Sequence, residues 1–314
     1  MNETRAFGGT GLRVSPIGFG AWQLGRSRSW PTGPEPDEAV RLVHSALDAG
    51  VTFLDTAPNY ADGQSEVNLG RALRGVPRDS YVLCTKFGHR HEGGTDWSPE
   101  ALRPSVQGSA RRLGVDVIDV VVLHNPAEDV LRKGELLGIL EAMRDEGLIR
   151  AFGASLDHGH EVDTMLAAGR PTALEVRLSA LYQEPWAAVD RAAARGVGTI
   201  VKVPLESGWL SGRYDADSVF TDNRARWTRE DIRLRAQLVD EFRALLPAGM
   251  SLVHGALAYL LASRSIATVI PGTRTVEQLR TSVAAAAEPL PAATVGAIRT
   301  WYAERLGGRE PLGW

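Results

Sequence analysis

The chain has 314 residues, 44% hydrophobic and 23% charged, enough to bury a large core without a disulfide or metal staple. Lys+Arg 35 against Asp+Glu 38 leaves a formal net charge of -3, which gives no basic field for a nucleic-acid backbone and favours small-molecule chemistry. The single Cys84 excludes an intrachain disulfide, the opening residues lack the charged start and apolar core of a signal peptide, and no apolar run approaches the roughly eighteen residues of a membrane span, so a reducing cytoplasm is the expected setting.

In chain order, β-branched or apolar runs at 16–22 (PIGFGAW), 51–56 (VTFLDT), 80–86 (SYVLCTK) and 115–124 (VDVIDVVVLH) read as strands, followed by 148–155 (LIRAFGAS), 172–178 (TALEVRL), 198–203 (GTIVKV) and 266–272 (IATVIPG). Helical patterns lie between them. Val40, Val43 and Leu47 share one face, and Leu136, Ile139, Leu140 and Met143 share another before Gly147 caps it, while 282–289 (SVAAAAEP) is helix-forming. Eight βα units predict a closed parallel (β/α)8 TIM barrel, one domain over residues 1–314. A doubly wound open sheet is the alternative, but no G-x-G-x-x-G follows a first strand to mark a dinucleotide crevice. No linker, repeat or low-complexity tract divides the chain.

In such a barrel the chemistry collects at the C-terminal ends of the strands. Asp55 ends the second strand and Tyr60 lies in the loop beyond it; Lys86 ends the third strand and His124 the fourth. Each alone reads as a cap, a rim aromatic, a solvated charge or a core polar group. Together, four ionisable groups at three consecutive strand ends converge on one mouth, as a proton-transfer site requires.

At these residues the chain resembles the aldo-keto reductase family. The similarity runs through GGTGLRVSPIGFGAWQLG, DTAPNYADGQSEVNLGRAL, TKFG, SARRLGVDVIDVVVLH, GLIRAFGAS, VPLESGWLSGRY and VIPGTRTVEQL, nearly the whole chain. It implies the barrel with a short N-terminal β-hairpin and extra C-terminal helices. It also carries roles to four residues: Tyr60 as general acid, Lys86 lowering the Tyr60 pKa, Asp55 holding Lys86, and His124 orienting the carbonyl. The chemistry agrees. A phenol with a pKa near 10 protonates a developing alkoxide well only beside a cation, and no side chain supplies hydride, so a nicotinamide cofactor is needed.

The resemblance further implies cofactor contacts. Gly20, Ala21, Trp22 and Asp55 would lie at the nicotinamide end, with Ser155, Glu175 and Lys202. The loop PLESGWLSGR would wrap the pyrophosphate through Pro204, Leu205, Ser207, Gly208 and Arg213. Gly272, Arg274, Gln278 and Ser282 would meet the adenosine end, where Arg274 paired with a 2′-phosphate points to NADPH (NADP+) rather than NADH. Four departures stand out against the family pattern: Leu156 after Ser155 in place of Asn, Glu175 in place of Gln, Lys202 in place of a stacking aromatic, and Thr281-Ser282 in place of Glu-Asn. A lone charge in that wall is costly to desolvate, so Glu175 and Lys202, on neighbouring strands, are expected to form an ion pair.

Trp22, Phe87, Trp97, Trp209 and Trp227 are the candidate substrate wall, suited to an apolar or sugar-like carbonyl compound. His89 and His91 are too few for a metal site and read as a solvated loop, and no metal is expected. Residues 215–231 carry too many charges for a core and read as a mobile lid, with Arg224 and Arg226 facing phosphate or an anionic substrate. The resulting expectation is NADPH-dependent reduction of an aldehyde or ketone to the alcohol, without nucleic-acid or membrane partners and with no oligomeric state indicated. Two alternatives are a cofactor-binding sensor subunit with little turnover and a non-redox barrel lyase.

Overall fold

Strands and helices alternate along residues 4–27, 33–90 and 92–307, which the computed structural model describes. An antiparallel hairpin comes first, β1 (Arg5–Ala6) against β2 (Arg13–Val14), with Arg5 opposite Val14. Eight parallel strands follow: β3 (Phe19–Gly20), β4 (Phe53–Asp55), β5 (Val82–Phe87), β6 (Ile118–His124), β7 (Ile149–Leu156), β8 (Ala173–Arg177), β9 (Gly198–Lys202) and β10 (Thr268–Val269). Each pairs with the next in sequence order. Parallel bridges Ile17↔Val269 and Gly20↔Gly272 join the first strand to the last, with the Gly18 N–H donating to Val269 O at 2.8 Å and the Val269 N–H to Pro16 O at 2.9 Å. The sheet thus curls into a closed barrel.

The helices are α1 (Pro36–Asp48), α2 (Gln64–Ala72), α3 (Pro99–Leu113), α4 (Glu128–Lys133), α5 (Glu135–Asp145), α6 (Gly159–Ala168), α7 (Trp186–Ala194), α8 (Arg229–Leu245), α9 (Leu252–Leu261), α10 (Val276–Ala287) and α11 (Ala292–Arg305). Their apolar faces and the outward residues of the strands form three clusters that wrap the barrel. The buried stripe of α1 is Ala39, Leu42, Val43 and Ala46, so the expected Val40 and Leu47 sit at its margins. In α5 the stripe is Leu136, Leu137, Leu140 and Met143, and Gly147 takes the left-handed conformation just beyond its end, as the sequence predicts.

Successive strand residues face opposite sides, so alternate residues share the barrel interior. Phe53, Val82, Cys84, Val120, Val122, Ala151, Ala173 and Ile200 fill it together with Phe7 and Val14 from the hairpin. Phe7 is fully buried, its ring centre 5.9 Å from that of Phe53, and burial of a side chain of this size is worth roughly 1.5–3 kcal/mol. Gly198 makes room for it, since a Cβ there would fall 2.6 Å from the Phe7 ring. The hairpin therefore stops one end of the barrel with apolar side chains and leaves chemistry to the other.

Candidate active site

The alternation that puts Phe53, Cys84, Val122 and Ala173 inside carries Asp55, Lys86, His124 and Glu175, two residues further along each strand, to the barrel's C-terminal mouth. Ser155 and Lys202 reach the same level, with Ser155 opposite both His124 and Glu175. Tyr60 comes from the turn of 3₁₀ helix after β4 (Tyr60–Gly63), whose next residues, Ala61 and Asp62, have φ of 50° and 52°. Six non-glycine residues take positive φ among the described residues: Ala61, Asp62, Asn125, Val203, Glu206 and Ser207. All lie in loops after β4, β6 or β9, so backbone strain concentrates at this mouth.

Lys86 is the centre of the charge network. Its ammonium donates to Asp55, donates to the Thr56 carbonyl at 3.1 Å, and stands 3.1 Å from Glu175 Oε2 and 5.0 Å from the centre of the Tyr60 ring. Burial works against its charge, but Asp55 and Glu175 together outweigh that and hold it well above the usual lysine range. Burial also lifts Asp55 to about 7, with Lys86 opposing the rise and Glu175 adding to it. Tyr60 lies above the usual phenol range because burial outweighs the opposing pull of Lys86, so the phenol stays protonated. Lys86 limits the rise rather than bringing Tyr60 below its ordinary value. His124 meets the Tyr60 ring edge-on at 5.6 Å between centres; burial and the nearby Lys86 keep it well below the usual imidazole range, hence neutral. Asp55, Cys84 and Glu175 place ligand-type atoms within 4.8 Å of one another, but the Lys86 ammonium already bridges the two carboxylates.

A cavity of about 630 Å³ opens from these groups. Asp55, Tyr60, His124, Glu175 and Lys202 line its inner end beside Gly20 and Trp22. The loop after β9 contributes Pro204, Leu205, Ser207, Gly208 and Arg213 to its lining; Gly272 lies beside Gly20 across the barrel seam, and Arg274, Gln278 and Ser282 continue the wall beyond it. Glu206 pins that loop from beneath: its carboxylate accepts from Arg177 at 2.6 Å and from Ser179 at 2.8 Å. The Thr275 hydroxyl caps α10, accepting from the Gln278 N–H at 3.2 Å, while the Gln278 side chain accepts from the Arg274 N–H at 2.9 Å. A cleft lined by Asn125, Lys202, Arg213 and Arg274 suits an anionic dinucleotide.

Several sequence expectations change here. Glu175 and Lys202 form no direct ion pair: Glu175 turns to Lys86, while Lys202 Nζ lies 2.9 Å from Asp157 Oδ1 and donates to Asn125 Oδ1 at 2.8 Å. They meet only through Ser155, whose hydroxyl accepts from Lys202 at 2.8 Å and lies 3.0 Å from Glu175 Oε1. Ser155 and Ala21 are fully buried and lie behind the cavity surface. Trp209 is fully buried and Trp227 nearly so, both in an aromatic cluster with Tyr214 and Phe220 away from the lining. Phe87 is core, met edge-on by Trp97, and neither lines the cavity. Of the proposed substrate wall, Trp22 alone does.

Within 215–231 a 3₁₀ turn (Asn223–Arg226) docks against the loop after β9. Arg224 donates to the Ser207 carbonyl at 2.9 Å and lines the cavity, whereas Arg226 lies over the Trp227 ring and does not. His89, read as solvated, faces the cavity with its ring centre 4.6 Å from that of His124. His91 lies outside the described residues. Asn125, Asn59 and Gln23 also line the cavity, and the sequence reading named none of them. Asn125 follows His124 directly, so the strand-end rule extended by one residue would have found it.

The model of the Aldo/keto reductase family matches residues 16–303. An L-galactose dehydrogenase of Arabidopsis thaliana is 31% identical over 299 residues, covering 91% of this chain and 88% of its own length. An NADH-specific methylglyoxal reductase of Escherichia coli (strain K12) is 28% identical over 306 residues, covering 88% of this chain and 91% of its own. Among solved structures, the holo form of an aldo-keto reductase from Bacillus halodurans superposes with a TM-score of 0.81 at 28% identity, over 96% of each chain.

Proposed function

The chain belongs to the aldo/keto reductase family and is an NAD(P)H-dependent oxidoreductase of carbonyl compounds, and from its site we propose that it reduces an aldehyde or ketone to the alcohol with NADPH, Tyr60 giving the proton. The observation that carries this reading is the meeting of Asp55, Tyr60 and His124, with Lys86 beneath them, at one cavity of about 630 Å³.

The cleft fits the cofactor by its donor set. Asn125 and Lys202 line the inner end, with Ser155 behind them, and Arg213 and Arg274 line the cleft further out. When bound, the nicotinamide supplies hydride to the carbonyl carbon. Tyr60 then gives its proton to the developing alkoxide, a transfer that leaves a phenolate next to the Lys86 ammonium rather than alone in a buried site. Asp55 keeps that ammonium aimed. Neutral His124 polarises the carbonyl by hydrogen bonding without adding a second charge.

The choice of NADPH rests on Arg274, because the E. coli relative is NADH-specific by name and the family alone does not decide it. Trp22, Gln23, Asn59, His89 and Asn125 make an inner wall with one aromatic face and many hydrogen-bonding groups, which favours a small hydroxylated substrate of sugar-like character. NADPH consumption across a panel of aldoses, hydroxyaldehydes and apolar aldehydes tests both points. Turnover with hydroxylated carbonyls is expected; NADPH binding with no turnover on any member would reject the enzyme in favour of a sensor.

A further inference from the structure

Glu175 is 1% exposed, and both its oxygens are committed within the site, Oε2 at 3.1 Å from Lys86 Nζ and Oε1 at 3.0 Å from the Ser155 hydroxyl. It is reached from across the barrel: Lys86 stands on β5 and Glu175 on β8, with β6 and β7 between them. Lys86 alone would balance Asp55. Glu175 adds a second carboxylate to the same ammonium, and the remaining cation, Lys202, is taken by Asp157 at 2.9 Å. In ionised form, Asp55, Glu175 and Asp157 against Lys86 and Lys202 leave one negative charge uncompensated. Arg177, which also acts on Asp157, is itself paired with Glu206 at 2.6 Å, and Tyr60, Cys84, His89 and His124 add no charge, since burial keeps the phenol and thiol protonated and the two imidazoles neutral.

The nicotinamide ring carries a positive charge when oxidised and none when reduced. We propose that Glu175 makes the floor of the cofactor cleft net negative and thereby selects the oxidised dinucleotide over the reduced one, so that the bound reduced form is a stronger hydride donor than the free form. This rests on the reading that a nicotinamide dinucleotide occupies the cleft. The surroundings fit the assignment: Glu175 is itself a lining residue, and a charge in a poorly hydrated wall acts on its neighbours with far less screening than one in water. Burial raises Asp55 and Glu175 adds to the rise, so a cation arriving beside it would drive off its proton.

Dissociation constants of NADP+ and NADPH, read by quenching of tryptophan fluorescence in the full chain, decide the matter. In wild type NADP+ binds at least as tightly as NADPH. Glu175→Gln, which keeps the shape and removes the charge, shifts the ratio of the two constants by about tenfold or more toward NADPH. A shift below about threefold with both ligands still binding overturns the proposal, while failure of wild type to bind either dinucleotide overturns the cofactor reading with it. A second measurement needs no variant: calorimetry in buffers of differing ionisation enthalpy near pH 7 should find more protons released on binding NADP+ than NADPH. Equal release would overturn the proposal even if Glu175→Gln does not fold.

Discussion

Lys202 is held by Asp157, Nζ to Oδ1 at 2.9 Å, with both side chains largely sheltered from solvent. The pair ties the end of β9 to the segment after β7, and Lys202 in turn holds Asp157 below the usual carboxylate range against the effect of burial. Removing either partner strands the other in a poorly hydrated place. A urea double-mutant cycle with Lys202→Met and Asp157→Asn should give a coupling of about 1 kcal/mol, and the cycle of Lys202→Met with Glu175→Gln a smaller one, because those two meet only through Ser155. Equal couplings would contradict the pairing.

Tyr60→Phe removes a hydroxyl and leaves the ring that His124 and Trp22 pack against. Binding of NADPH, followed by tryptophan fluorescence, should stay near wild type while kcat falls by roughly 10² or more, the scale of a lost general acid. Unchanged turnover would remove Tyr60 from the mechanism.

Arg274 lines the outer end of the cleft, its own N–H held by Gln278. If its guanidinium meets the 2′-phosphate, Arg274→Ala should weaken NADPH by about 1.5–3 kcal/mol, the worth of a hydrogen bond between charged groups, with NADH nearly unaffected. Parallel losses for the two cofactors would assign Arg274 to some other part of the dinucleotide.

His124 has a pH signature of its own. Its folded-state pKa lies well below the usual 6.5, so above that value both folded and unfolded forms are neutral and the histidine is indifferent to pH. Below it the unfolded chain takes up a proton that the folded site refuses, and stability falls by up to about 1.4 kcal/mol per pH unit. Urea unfolding at pH 7.5 and pH 5.5 should find wild type losing about 1 kcal/mol or more relative to His124→Asn over that interval. His89, lowered too and 4.6 Å away, is removed from the comparison by carrying His89→Asn in both proteins. Parallel curves would mean that His124 is protonated in the fold.

Asp55, Lys86 and His124 were legible because strand alternation needs only local pattern, and the end of a barrel strand has a fixed address. The partner of Glu175 was not. Neighbouring strands suggest Lys202, but β5 and β8 approach through the barrel interior, and that distance depends on how the cylinder closes and not on adjacency in the sheet. Trp209 and Trp227 misled for a related reason: a residue in a loop after a strand can turn to the mouth or back onto the outer helices, and composition does not distinguish the two. His89 is the converse case. Two residues past the end of β5, it carried no pattern to mark it, yet Gly88, with φ of 122° and Trp97 packed where a Cβ would be, turns the chain so that the imidazole faces His124.

The seam that closes the barrel joins Pro16 and Gly18 to Val269, some 250 residues later. A ribosome making this chain releases β3 before the other barrel strands and β10 last of them, so during most of synthesis the sheet grows outward from one bare edge and ends in another. Seven strands can pair before the eighth exists, but the edge of β3 stays exposed throughout, with Ile17, Phe19 and the backbone of Gly18 unsealed. Edges of that kind invite pairing with other chains. The arrival of β10 therefore does more than complete the cleft, since it turns an open sheet into a closed eight-stranded barrel.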